Sequence, residues 1–323
     1  MRLTGAAWAI AWAALSVAGA TWAQQPPLRV SGNTQTIEIA PVLLAAADGS
    51  ATVTMGGIPN LVGEPGAAGF SEPGAADLAT NAETQLLRQS VKHPELRIIL
   101  GVSEGLYRIV ARRSAGIDTV ADLNGKRVAT IAATSSGYFL DRMLRRAGLT
   151  FGDIEARQIT PLAGMTEALK KREVDAVVIW EPESLHAEQA LGADAIKFDG
   201  AGVYRELFNL NTTAAKLADP ASRARIVSFV RGVIAAGSRI AADPARAQAL
   251  VAQTGEFAPR DVADSWRHHR FMPGFPADLL TVMVTEEKWL AERDKRPVRS
   301  RAALARLIDT SVYREALKGM PRR

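Results

Sequence analysis

The chain has 323 residues, no cysteine, and a formal net charge of +5 from 39 basic and 34 acidic side chains. Its length suits one large domain or two lobes, and a hydrophobic fraction of 47% is enough for a buried core. The lack of cysteine excludes a disulfide framework, a cysteine-ligated metal site and a thiol nucleophile. The small positive charge is compatible with an anionic ligand, but it does not indicate nucleic-acid binding.

Residues 1–23 have the layout of a secretory signal peptide. Arg2 gives a positive start, residues 6–20 are almost wholly apolar, and small residues follow. Cleavage after Ala23 or after Ala20 fits this pattern. An uncleaved membrane anchor is the alternative, but the apolar run is shorter than the roughly 20 residues that a membrane span needs. The sequence therefore predicts an exported protein, cleaved near Ala23, and the missing cysteine argues against a lipoprotein.

Short apolar runs alternate with helical patterns through the middle of the chain. The predicted strands are residues 28–30, 76–78, 98–102, 107–111, 127–131 and 176–180. The last two are continuous β-branched runs, which are typical of strands buried on both faces of a parallel sheet. A predicted helix over 137–147 lies between them, and a second one over about 165–172 leads into the last strand. This alternation predicts an α/β fold with right-handed crossovers.

The C-terminal third is predicted to be almost entirely helical. Its helices each start near a proline or serine signal and span residues 220–240, 244–253, 259–266, 276–290 and 300–307. Residues 63–76 are rich in glycine and proline and are predicted to form a loop.

Polar loops follow four of the predicted strands, and such loops are where open α/β sheets bind ligands. Their candidate ligand-binding side chains are Asn33, Gln35, Thr36, Thr80, Asn81, Thr134, Ser135, Ser136, Trp180 and Glu181. The loop at 133–137 has the clearest chemistry, because hydroxyls and free N–H groups at a helix start suit a carboxylate, sulfonate or phosphate. An ordinary serine cap is the alternative there. Trp180 either packs against a ligand or closes the hydrophobic core. The polar side chains of the other loops are also the types that turns require for their own backbone hydrogen bonds.

The sequence offers few residues that suggest catalysis or metal binding. The histidines are His93, His186 and the adjacent pair His268–His269, whose side chains would point about 100° apart on a helix and chelate poorly. No nucleophile elbow, zinc-protease motif, Walker sequence or dinucleotide glycine pattern is present. Glu181 and Glu183 could act as general acids, but the simpler interpretation is that one of them is solvated or packs beside Pro182. We expect no catalytic residue, no metal and no cofactor.

Four segments in order resemble the periplasmic substrate-binding proteins of ABC importers for sulfonates, taurine, nitrate and thiamine precursors. Residues 116–128 are similar to the family's "SGI-x-x-x-x-DL-x-GK-x-V" segment, and residues 134–140 to its helix-start "S-S-A-x-x-L" loop. Residues 168–177 resemble "AL-x-x-G-x-VDA", and Trp180–Pro182 resembles "W-x-P". The similarity is strongest over residues 77–211.

The resemblance implies the type II periplasmic binding protein fold. It has two lobes, each a central mostly parallel sheet flanked by helices, a two-stranded hinge and a helical C-terminal region. Lobe one would comprise residues 24–112 and 207–323, and lobe two residues 113–206. The hinge strands would lie near residues 110–112 and 207–209. The four polar loops would then converge on one cleft, with Asn209 or Asn211 at its floor.

The resemblance further implies a monomeric, non-enzymatic periplasmic receptor that captures a small polar or anionic organic molecule for an ABC permease and its ATPase. An enzyme on the same fold is one alternative, of the pyrimidine-precursor or menaquinone-pathway type. The first of these relies on cysteines that are absent here, and both are cytosolic. A binding protein that feeds a signalling receptor is the other alternative. The family's usual opening of lobe one is replaced by residues 46–50, and the 63–76 loop is not a family feature, so the ligand stays unassigned.

Overall fold

The computed structural model describes residues 26–64 and 75–320. The predicted signal peptide lies outside the described residues, as do residues 65–74 of the predicted loop. The strands are β1 (Leu28–Gly32), β2 (Ala51–Met55), β3 (Leu78–Ala82), β4 (Leu96–Gly105), β5 (Arg108–Arg112), β6 (Arg127–Thr130), β7 (Glu155–Arg157), β8 (Ala176–Ile179), β9 (Ala195–Asp199), β10 (Glu206–Thr213) and β11 (His269–Arg270).

The helices connect and cover these strands. They are α1 (Ala40–Ala46), α2 (Ile58–Val62), α3 (Glu83–Gln89), α4 (Ser135–Arg146), α5 (Ala163–Lys170), α6 (Glu183–Leu191), α7 (Ala214–Ala218), α8 (Pro220–Ala242), α9 (Ala245–Gly255), α10 (Pro259–Ser265), α11 (Leu279–Arg293), α12 (Arg301–Ala305) and α13 (Ser311–Lys318). Short 3-10 turns complete the connections, for example at Val120–Leu123. The α/β class predicted from the sequence is confirmed.

Two sheets form the centres of two lobes. Among the described residues the first sheet has six strands in the order β11–β4–β10–β3–β1–β2, and the second has five in the order β7–β6–β8–β5–β9. The family resemblance implies a mostly parallel sheet in each lobe, but both sheets are mixed. Parallel pairing joins β1 to β2 and β3, and β6 to β7 and β8. Strands β5 and β10, which follow the two segments where the chain crosses between the lobes, run antiparallel to their neighbours because the chain reverses there.

The chain crosses between the sheets through residues 106–107 and 200–205, where β4 gives way to β5 and β9 to β10. The family resemblance implies that lobe one extends to residue 112, with a hinge strand near residues 110–112. In the structure β5 pairs with β8 and β9 of the second sheet. An apolar strand pattern shows that β5 is buried but not which sheet buries it. We propose lobe boundaries at the two crossings.

The C-terminal helices pack mainly on lobe one. α8 contacts α1 and α13, and α11 contacts α3 and α12. Along α8 the side chains of Ile226, Val230 and Val233 recur at helical spacing and are fully buried. Each contributes about 1.5–3 kcal/mol through burial of apolar surface. The helices predicted for this region from the sequence correspond to α8 through α12, while α13 was not predicted.

Aromatic rings fill the space beside the crossings. The ring of Tyr107 lies 5.7 Å from that of Phe139 and 6.0 Å from that of Tyr204. Tyr138 lies 5.1 Å from Tyr204 and 5.2 Å from Trp289. Since these residues come from the crossings, from α4 of lobe two and from α11, one hydrophobic core continues from lobe to lobe.

Candidate functional site

A cleft of about 340 Å³ lies between the lobes. Lobe one lines it with the loop after β1, residues 56–59 and α3, and lobe two lines it with the loop after β6 and with Trp180. Glu206 and Phe208 of β10 form its floor. This volume is in the range of small-molecule sites, so the cleft suits a small organic ligand.

The start of α4 lies at the cleft. Thr134 is the N-cap residue, but its side chain makes no capping hydrogen bond. Its hydroxyl instead donates to the carbonyl of Ile131 at 2.8 Å. The first N–H groups of a helix have no intrahelical acceptor, and the helix dipole makes this end positive. Thr134 and Ser135 both line the cleft, so an anionic group has donors available there.

Two side chains of α3 reach across the cleft from lobe one. Gln85 Nε2 and an Arg88 guanidinium nitrogen each donate to the carbonyl of Ala133, both at 3.0 Å. Arg88 is otherwise exposed and lines the cleft beside the start of α4. The site therefore holds a full positive charge next to the positive end of a helix, which favours an anion.

Trp180 closes the opposite side. Its indole Nε1–H donates to the carbonyl of Gln35 at 3.1 Å, which joins lobe two to the loop after β1. The half-buried ring lines the cleft and offers a flat apolar surface. Together with the α3 contacts, this bond shows the lobes in contact on both sides of the cleft.

Asn33 and Thr36 from the loop after β1 and Asn81 from β3 face the cleft from lobe one. The sequence predicts a loop over residues 79–84, but residues 79–82 belong to β3 and residues 83–84 begin α3. The Asn33 carboxamide oxygen accepts from the N–H of Gln35, and that of Asn81 accepts from the N–H of Ile58. Both amides thus use their oxygen to fix the local backbone, which leaves their NH₂ groups as donors to a ligand.

The remaining predicted site residues do not line the cleft. Gln35 is exposed and contributes only its carbonyl, and Thr80 is fully buried beside Gly32. Ser136 is fully buried within hydrogen-bonding distance of Thr130 and Thr134. Asn209 is also fully buried.

Glu181 belongs to a buried charge network beside the cleft. Its carboxylate pairs with Arg108 at 2.8 Å and accepts from Ser265 of α10 at 3.3 Å. Arg108 also contacts Glu188 at 3.3 Å and His268. Glu181 therefore links lobe two to the C-terminal helices and does not face a ligand.

Several residues that line the cleft were not predicted from the sequence: Gly56, Gly57, Pro59, Ala82, Gln85, Arg88, Gln89, Ile131, Ala133, Gln158, Glu206 and Phe208. Gln85 and Arg88 lie one turn apart on α3, directly after the predicted 79–84 loop, and that proximity is the one sequence signal that could have identified them. Glu206 had no such signal.

The floor of the cleft contains a buried acid. The side chain of Glu206 accepts a hydrogen bond from the Tyr107 hydroxyl, which also lies 2.9 Å from the Ser135 hydroxyl. Burial raises the pKa of Glu206 well above its ordinary value, and the charges of Glu38 and Glu83 add to that effect. Both effects disfavour a negative charge on the floor of the cleft.

Among the described residues, no group of three or more histidine, aspartate or glutamate side chains is arranged to hold a metal ion. No helix within 26–64 and 75–320 is long and apolar enough to cross a membrane.

A sequence model of the family described as NMT1/THI5 like matches residues 67–247, more than half of the chain. A protein of Escherichia coli (strain K12) named for aliphatic sulfonate binding is 33% identical over 167 residues. That match covers 50% of this chain and 49% of the relative, so the chain matches about half of the relative's length.

Solved structures match over nearly the whole chain. The alkanesulfonate-binding protein SsuA from Xanthomonas axonopodis pv. citri, bound to MOPS, is 19% identical with a TM-score of 0.67 over 89% of this chain and 99% of that one. The desulfurization enzyme DSZB is 15% identical with a TM-score of 0.62 over 91% of this chain and 99% of that one. At such identities these likenesses show the fold alone, and it is the two-lobe type II fold predicted from the sequence.

Proposed function

The chain belongs to the NMT1/THI5-like family, and from that premise we propose that it is an exported receptor for a small organic anion, foremost a sulfonate. In this proposal the bound receptor delivers its ligand to an ABC transporter in the membrane. The relative named for aliphatic sulfonate binding and the MOPS-bound structural neighbour support this ligand class.

One observation carries the proposal: donors for an anion converge in the cleft from both lobes. The uncapped start of α4 comes from lobe two, and Arg88 of α3 comes from lobe one. Trp180 provides an apolar surface close by, which suits the carbon chain of an organic sulfonate. In this arrangement the sulfonate oxygens bind at Ser135 and Arg88, and the carbon chain lies against Trp180.

Binding would favour the closed arrangement of the lobes, because an anion that contacts both α3 and α4 stabilises the state in which they are adjacent. The described structure already has the contacts Gln85–Ala133 and Trp180–Gln35 across the cleft. Opening breaks these bonds and separates the two groups of donors. A ligand bound between them therefore shifts the equilibrium towards closure, which a transporter can recognise.

Isothermal titration calorimetry with ethanesulfonate, taurine, MOPS and nitrate tests the proposal, with neutral ethanesulfonamide as the ligand control. We expect one sulfonate to bind and the sulfonamide to bind at least tenfold more weakly. Arg88→Gln should weaken sulfonate binding about tenfold, the usual effect of losing a hydrogen bond to a charged group. Arg146→Gln, at the far end of α4, should leave it unchanged. Failure of every anion to bind would contradict the receptor function.

An enzyme is the rival function, since the fold also occurs in the desulfurization enzyme DSZB. The chain has no cysteine and so cannot use a thiol nucleophile. The only carboxyl group that lines the cleft, among the described residues, is that of Glu206, and its hydroxyl neighbours hold it in place. Incubation of the protein with a sulfinate or sulfonate, followed by sulfite detection, separates the two functions: release of sulfite would identify an enzyme.

A further inference from the structure

We propose that Glu206 binds the ligand as a neutral carboxylic acid, donating its proton in a hydrogen bond to an oxygen of the anion, and that it selects anions of strong acids over more basic dianions. This inference rests on the proposed receptor function. It concerns a residue that no sequence motif indicates, at the point where β10 enters lobe one.

The position of Glu206 makes it the natural partner of an anion at Ser135. Glu206 is 4% exposed, and this small exposed part lines the cleft. The Tyr107 hydroxyl bridges it to the Ser135 hydroxyl, so Glu206 lies one hydroxyl away from the start of α4. Tyr107 donates to Oε2, so in this proposal Oε1 carries the proton.

The groups around Glu206 disfavour a negative charge on it. Glu38 from the segment before α1, Glu83 from α3 and Glu286 from α11 are all buried nearby. His269 of β11 contacts Glu38 at 3.2 Å. The phenols of Tyr107 and Tyr204 complete the set, with the Tyr204 hydroxyl donating to Glu83 at 2.9 Å.

Titration of this set supports a proton on Glu206. Burial raises the pKa of Glu206 well above its ordinary value, and the charges of Glu38 and Glu83 raise it further. Burial also raises the pKa of Glu286, to which the charge of Glu83 adds. Burial raises the pKa of Tyr107, so this phenol stays a donor.

A carboxylic acid donor discriminates between ligands by their basicity. A sulfonate is the anion of a strong acid and leaves the proton on Glu206, so the hydrogen bond forms without creating a charge. A phosphonate dianion is a stronger base and carries a second negative charge towards Glu38 and Glu83. If it takes the proton, Glu206 is left as a buried carboxylate facing an anion, and this is unfavourable in a region of low dielectric constant.

Calorimetry with ethanesulfonate and ethylphosphonate tests this, at pH 7 and at an alkaline pH where the phosphonate is dianionic. The wild type should bind the sulfonate at least tenfold more tightly than the dianion. Glu206→Gln keeps a neutral donor, so it should bind the sulfonate within about threefold of the wild type. Its amide has no proton to lose, so its preference for the sulfonate should shrink to about threefold. Glu206→Ala should weaken sulfonate binding about tenfold.

Glu104→Gln is the matched control, because Glu104 lies on the neighbouring β4 outside the cleft and pairs with Arg205. It should keep the wild-type preference. Unaltered sulfonate binding in Glu206→Ala overturns the inference. An equal loss of sulfonate affinity in Glu206→Gln and Glu206→Ala also overturns it. Thermal unfolding checks that each variant folds. If Glu206→Ala does not fold, the inference is tested by Glu206→Gln alone: its preference for the sulfonate over the phosphonate dianion must be smaller than that of the wild type. If the wild type binds a sulfonate and neither Glu206 variant changes that binding, only this inference is contradicted. If the wild type binds no anion, the receptor function is contradicted as well.

Discussion

Replacing Glu287 by glutamine should lower the free energy of unfolding by about 2–3 kcal/mol at neutral pH. Glu287 of α11 is fully buried, and its carboxylate accepts hydrogen bonds from Arg296 at 2.6 Å and from Arg299 at 2.9 Å. Arg299 also donates to the carbonyl of Leu87 and to the Ser90 hydroxyl at the end of α3. This one carboxylate therefore holds α11 against the helix that carries Arg88.

The magnitude comes from the protonation equilibrium. Burial alone would raise the pKa of Glu287, but hydrogen bonds from Arg296 and Arg299 outweigh it and lower the pKa from 4.5 to about 2. At ~1.4 kcal/mol per pH unit, this difference corresponds to about 3 kcal/mol. The side chains of Arg296 and Arg299 are 16% and 21% exposed, so water partly solvates them and the net effect is smaller.

The sign follows from a lowered pKa in the folded state. The stabilisation is complete above the unfolded value of 4.5 and is lost as the pH falls through about 2. Urea unfolding of the wild type and Glu287→Gln should differ fully at pH 7, and less as the pH falls below about 4. At neutral pH the melting temperature should drop by about 5 °C.

Glu292→Gln is the control on the same helix. Glu292 is 70% exposed and pairs with Arg145 at 3.3 Å, so its replacement should change stability by less than about 0.5 kcal/mol. The reasoning is refuted if Glu287→Gln is as stable as the wild type at pH 7. A stability difference that stays constant down to pH 3 would refute it as well.

Two further predictions concern the cleft and the lobe contact. Gly137→Ala should destabilise the protein by about 2 kcal/mol and weaken anion binding, because the new Cβ would lie 2.3 Å from the carbonyl oxygen of Ala132; an unchanged melting temperature would contradict this. Hydrogen bonds to Glu183 and to Asp261 of α10, the latter at 3.1 Å across the lobes, raise the pKa of His186. The protonated His186 stabilises the contact between the lobes at low pH, and this stabilisation disappears as the pH rises through that pKa. Because the ligand binds between the lobes, its affinity should fall with rising pH in the wild type and fall less in His186→Gln. Calorimetry from about pH 5 to about pH 8 measures this difference.

The polar loops show how far sequence reasoning extends into the site. Asn33 and Thr36 line the cleft, since a loop after a parallel strand lies at the ligand-binding edge of the sheet. Asn81 lines it too, but from the end of β3 and not from a loop. The adjacent Ser135 and Ser136 could not be separated from the sequence. On a helix they point about 100° apart, and in the structure only Ser135 lines the cleft while Ser136 is buried among Thr130 and Thr134.

Glu181 shows the opposite case. Its position after a strand and before a proline is typical of a ligand-binding residue, as the sequence predicts. In the structure the nearest charge is Arg108, which lies more than 70 positions earlier in the chain and pairs with it at 2.8 Å. Because the pairing of a buried charge depends on tertiary contacts, no local pattern could distinguish the two roles.

The sequence by itself determined the α/β class, the positions of β4, β6 and β8, and the helices α4, α5 and α8, because hydrophobic periodicity and turn signals act over short stretches of chain. The family resemblance added the two-lobe arrangement. Only the tertiary structure decided that β5 belongs to the second sheet, that Arg88 faces the start of α4, and that Glu38, Glu83, Glu206 and Glu286 share one buried region. These residues come from distant parts of the chain, and the low-dielectric environment that makes Glu206 neutral exists only once the lobes have packed together.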